Sequence, residues 1–110
     1  MTLKDNLVEI IKTHGDATFA SLRHYLDKDH FKGEETIYLS EPTNNLILWP
    51  DVSLELAQAI TELLAEKTIK VEATSYIVYL IDGCHLRIPI AGKQKSYKKP
   101  RWVPVVFTLA

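Results

Sequence analysis

Residues Ser53–Gly83 read SLELAQAITELLAEKTIKVEATSYIVYLIDG, the densest apolar pattern in the chain. Asp51 or Ser53 offers a short oxygen-bearing side chain to the unpaired N–H groups of a first helical turn. Leu56, Ile60, Leu63 and Leu64 then recur at the spacing of one helix face, with Glu55 and Glu62 on the polar side. Glu62 and Glu66 form a like-charge pair one turn apart, while Lys67 suits the negative end of the helix dipole. Beyond it the period becomes two. Ile69, Val71 and Ala73 alternate with Lys70 and Glu72, which predicts a strand with one wet face. Tyr76–Ile81 is apolar at every position, so a central strand covered on both sides is expected, ended by Asp82-Gly83.

Upstream, Thr2 with Asp5 opens a first helix whose face is Leu3, Leu7, Ile10, Ile11 and His14, and Gly15 is its expected stop. Asp16 or Thr18 caps a second helix, with Phe19, Leu22, Tyr25 and Leu26 on its apolar stripe up to about Lys28. The short Gly15-Asp16-Ala17 turn requires the two helices to meet at a tight corner. Asp27–Glu35 reads as a loop. Thr36–Leu39 and Leu46–Trp49 flank a Pro/Asn turn and predict a hairpin stopped by Pro50. Downstream, Leu86, Ile88 and Ile90 predict a strand that Pro89 confines to an edge or to a bulge. Ala91–Arg101 is a loop, and Trp102–Leu109 a last strand carrying Pro104. The expectation is one α+β domain over residues 1–110, with three helices packed on a mainly antiparallel sheet of four to six strands.

At 110 residues, with hydrophobic and charged fractions of 46% and 25%, the chain has an ordinary globular composition and can bury a core without staples. The lone Cys84 excludes an internal disulfide and fits a reducing, cytoplasmic setting. Asp5 and Glu9 interrupt the N-terminal apolar residues, against a signal peptide, and no apolar run approaches the ~20 residues of a membrane helix. The net charge of −1 hides an asymmetry. Residues 1–82 carry 7 bases and all 14 acids (7 − 14 = −7), and residues 83–110 carry 6 bases and no acid, +6. A basic segment of this kind is a candidate surface for a polyanion.

That segment holds Arg87, Lys93, Lys95, Lys98, Lys99 and Arg101, with Tyr97 and Trp102 interleaved. Cations neutralise phosphates and flat rings stack on bases, so nucleic acid is the leading expected partner. The bland alternative is a solvated loop that protects a sheet edge.

The element order over residues 3–82 resembles the winged helix-turn-helix layout: Leu3–His14, Thr18–Lys28, Ser53–Lys67, then Ile69–Ala73 and Tyr76–Ile81. The resemblance implies nucleic-acid binding. It rests on element order, and Thr36–Trp49 is an insertion relative to that layout. The third helix carries Glu55, Glu62 and Glu66, which phosphates repel, so the basic loop is the expected contact surface.

Other chemistry is thinly represented. Cys84-His85 are adjacent, and with His14, His24 and His30 they lack a metal-ligand spacing. Glu34-Glu35 is the single adjacent carboxylate pair, and no phosphate loop or nucleophile elbow is present. No cofactor, metal or catalytic residue is expected, and an enzyme ranks third. The second reading is a protein-interaction or adaptor subunit whose basic loop meets an acidic protein. Trp49, Tyr76, Tyr79, Trp102 and Phe107 are expected to be core, and any that stayed exposed would favour a homodimer.

Overall fold

A computed structural model describes residues 2–39, 42–83, 86–92 and 95–110. Helix α1 (Leu3–His14) begins with a reciprocal cap: the Asp5 N–H donates to Thr2 Oγ1 at 3.2 Å, and the Thr2 N–H to Asp5 Oδ2 at 3.1 Å. Those contacts from Thr2 hold the Asp5 carboxyl below its ordinary pKa. Gly15 ends the helix at φ +79°, where a side chain would be strained, and donates to Ile11 O. Helix α2 (Phe19–Tyr25) follows a second reciprocal cap between Thr18 and Ser21. It ends three residues before Lys28. The expected loop after it contains a single turn of tighter helix at Lys28–Phe31.

Strands β1 (Glu35–Tyr38) and β2 (Leu46–Val52) form the expected antiparallel hairpin. Pro50 does not stop β2. The ladder shifts register between Glu35 and Ile37, and the irregularity absorbs both the proline and Asp51 at φ +57°. Ser53 caps α3 (Leu54–Ala65), its Oγ accepting from the Leu56 N–H at 3.1 Å and meeting His30 Nδ1 at 2.8 Å. Leu56, Ala59, Ile60 and Leu63 are its buried face. Helix α1 packs on α3, and Lys4 Nζ reaches Glu66 at 2.9 Å and Glu62 at 3.8 Å. The cation thus sits over the like-charge pair; the groups are exposed, so the gain is small.

Strand β3 (Ile69–Ala73) is found as expected. The central strand expected at Tyr76–Ile81 is not. Ile77–Ile81 is a short helix, α4. The reason is competition for the ladder. All five residues of β3 pair antiparallel with β5 (Val105–Leu109), so a strand from far along the chain takes the edge where a hairpin partner was expected, and 76–81 pairs with neither strand. A segment without a ladder satisfies its backbone locally: Tyr79 and Leu80 donate to Tyr76 O at 3.0 and 3.1 Å.

The expected strand at Leu86–Ile90 is reduced to one parallel bridge between Ile90 and Trp102. The last strand is split at Pro104. Strand β4 (Arg101–Trp102) runs parallel to β2, whereas β5 joins β3. The α+β class therefore stands, with four α-helices among the described residues. In place of one sheet of four to six strands, the described residues form two, ordered β1-β2-β4 and β3-β5.

Between the sheets lies an aromatic cluster. Trp49 stacks on Phe19 (centroids 5.5 Å) and on Tyr79 (5.7 Å), and Trp102 meets Tyr79 edge-on at 5.1 Å. Phe107 meets Phe19 edge-on at 5.2 Å. The Tyr79 hydroxyl donates to Val105 O at 2.6 Å and accepts from the Phe19 N–H at 3.2 Å. It thereby supplies one of the first-turn donors of α2 with a partner.

Candidate nucleic-acid interface

The connection from β3 to β5, residues 74–104, carries α4 and every candidate contact residue. Its basic part is held by the turn of the β1–β2 hairpin. Asn45 sits at φ +57°, a conformation asparagine tolerates, and this turns its side chain and carbonyl toward the connection. Its Nδ2 donates to Tyr97 O at 2.7 Å, and its carbonyl accepts from the Arg101 N–H at 2.8 Å. Asn44 adds two more bonds: its carbonyl accepts from the Tyr97 N–H at 3.1 Å, and its Oδ1 lies 3.0 Å from Ser96 Oγ. Asn44 and Asn45 are the positioning residues that sequence reasoning overlooked. The Pro/Asn turn was visible, but its grip on a segment half a chain away was not.

The candidate residues divide into three groups. Arg87, Lys95, Lys98 and Lys99 are exposed, and Arg101 is half-buried. None of these five forms an ion pair among the described residues. Tyr97 is half-buried against the core with Arg101 and Lys95 over its ring, 5.2 and 5.5 Å from the centroid. A base approaching that ring meets two cations as well. Trp102 belongs elsewhere. At 1% exposure it is part of the aromatic cluster, and its ring offers no face to a ligand. Its expected stacking role does not hold: Trp102 follows the basic loop directly in sequence, but β4 draws the indole inward. Lys93 lies outside the described residues, as do Cys84 and His85.

The other expected chemistry does not assemble. His14 and His24 both lie against the Tyr25 ring, with centroids 4.8 Å away, and His30 binds Ser53. Among the described residues, no three His, Cys, Asp or Glu side chains are grouped to hold a metal. No helix there is long and apolar enough to cross a membrane. Tyr76, Ile77, Val78, Leu80 and Ile81 are all exposed, Ile81 most of all at 79%; Tyr79 alone of α4 is buried. No protein-family model matches the sequence, and no curated protein or solved structure matches it either.

Proposed function

We propose that the protein is a small binding module that contacts nucleic acid through the basic part of the β3–β5 connection. The observation that carries this reading is a set of exposed cations, Arg87, Lys95, Lys98 and Lys99, with no carboxylate paired to them among the described residues. Residues 83–110 contain no acid at all, so the local field is positive. The winged-helix likeness enters in altered form: α1, α2 and α3 precede the β3–β5 ribbon, whose long connection takes the place of a wing. The lone cysteine is compatible with a reducing, cytoplasmic setting for such a module.

Binding of labelled single-stranded and duplex oligonucleotides at two salt concentrations tests the reading. With about four phosphates neutralised, duplex affinity should fall roughly a hundredfold between about 50 and 200 mM salt. Replacing Lys95, Lys98 and Lys99 together with glutamine should reduce the logarithmic salt slope by about 2.7. Unchanged affinity and slope in that variant would refute it.

The exposed α4 favours a second reading, a protein-interaction subunit that forms a homodimer. Apolar side chains at Ile77, Leu80 and Ile81 are costly to leave in water and gain by burial against a partner. Light scattering over a concentration series should show a dimer that Ile81→Asp dissociates. A wild-type monomer throughout the series rejects it.

A further inference from the structure

Strand β3 has one edge against β5 and one open edge, and the ladder fixes which backbone groups face each. Residues of an antiparallel strand turn their N–H and C=O alternately to one side and the other. The Thr74 N–H donates to Pro104 O at 2.8 Å and the Ala110 N–H to Thr68 O at 3.1 Å, so in this register the even-numbered residues of β3 face β5. Phe107, opposite Val71, obeys the same alternation. It exchanges both of its bonds with Ala17 on the far side of β5, at 2.7 and 3.0 Å. Ile69, Val71 and Ala73 therefore turn their backbone groups away from β5, to an edge with no strand among the described residues. Strand β3 contains no proline and its register with β5 runs without a shift, so neither of these devices closes that edge.

The side chains decide what fits there. Lys70 and Glu72 are exposed on one face of β3, Nζ and Oε1 3.8 Å apart, while Ile69 is buried and Val71 half-buried on the other. We infer that two copies of this chain join through β3, antiparallel about a two-fold axis at Val71, into one sheet ordered β5-β3-β3-β5. In that register Val71 opposes the partner's Val71, and Ile69 opposes the partner's Ala73. These residues all have outward backbone groups, and each such pair exchanges two hydrogen bonds. Lys70 then opposes the partner's Glu72, and Glu72 the partner's Lys70, at the closer-spaced positions where opposite charges attract. The same two charges fix the register. A slip of two residues sets Lys70 against the partner's Lys70, or Glu72 against the partner's Glu72. A slip of one sets outward groups against groups already bonded to β5. The strand is its own complement, which favours a second copy over an unrelated peptide. Joining also extends a two-stranded sheet, marginal by itself, and removes its open edge.

This seam uses neither the basic connection nor α4, and its test separates it from both. Sedimentation and amide hydrogen exchange are followed on the full chain over a concentration series at low salt, where exposed pairs are least screened. A dimer should form as concentration rises, and the Ile69, Val71 and Ala73 amides should gain protection with it. The Lys70 and Glu72 amides, bonded to β5, should be protected throughout. Lys70→Glu and Glu72→Lys should each weaken association about tenfold, since both opposed pairs become like-charged. An equimolar mixture of the two variants should recover wild-type association, because every pair across the axis is then of unlike sign. The Lys70–Glu72 pair within each chain stays broken in both variants, so that recovery reads the contact between copies alone. A mixture that associates no better than either variant overturns the seam. A dimer that Ile81→Asp dissociates, with unchanged exchange at Val71, also overturns it and leaves association through α4 standing. A monomer at every concentration overturns both and leaves nucleic-acid contact untouched.

Discussion

Tyr79→Ala should lower the unfolding free energy by about 4–5 kcal/mol, the sum of a large aromatic truncation and two polar groups left without a partner. Tyr79 is fully buried and touches Trp49 and Trp102 with its ring. Its hydroxyl links the start of α2, through the Phe19 N–H, to Val105 O on β5. Such a loss is a large share of the 5–15 kcal/mol typical of a whole domain, and the variant should unfold at much lower urea. Tyr79→Phe keeps the ring and removes only the hydroxyl, so it should cost about 2 kcal/mol. The difference between the two separates packing from hydrogen bonding. If Tyr79→Phe matches wild type in urea denaturation, the hydroxyl is not the link described.

Gly33→Ala is the second large effect, at about 3 kcal/mol, because the added carbon would strike backbone rather than a yielding side chain. A Cβ on Gly33 falls on the Val52 carbonyl and comes within 2.7 Å of the Ser53 nitrogen. Relief requires pulling the segment before β1 away from the end of β2. That movement would break the Gly33–Asp51 and Ser53–His30 backbone bonds and loosen the cap of α3. Gly92→Ala is the control, since nothing lies within 4 Å of the added carbon, and it should be close to neutral. Equal urea midpoints for the two variants would show that the close approach at Gly33 has no energetic weight.

Much of this architecture was legible because its signals are local. Thr2 with Asp5, Thr18 and Ser53 cap helices where they stand, and the apolar periods point Leu7 and Ile11 of α1 and Leu56, Ile60 and Leu63 of α3 inward, although His14 at the end of the α1 face is exposed. The run Tyr76–Ile81 was misread because its composition favours a strand while its conformation depends on who else reaches β3. That competitor, β5, lies some thirty residues on, and nothing within 76–81 announces it. Trp102 shows the same limit for the candidate site. An aromatic at the end of a basic loop is as suited to stacking as to burial, and only the pairing of Ile47 with Trp102 decides. The exposed lysines were readable as charge; the asparagine turn that holds them required tertiary contacts.

The crossover at Val103-Pro104 has a consequence for the order of events in folding. Trp102 and Val103 close against β2, and Val105 and Phe107 close against β3 and Ala17, so both sheets take their last strand from one short segment. Neither half of the core can reach its final packing while that segment is absent. During synthesis the earlier helices and the hairpin must wait with apolar faces uncovered, and the bridge from Ala17 to Phe107 closes one of the longest loops the chain permits. Slow, all-or-none acquisition of structure, rather than stepwise growth from the N-terminus, is the behaviour this topology dictates.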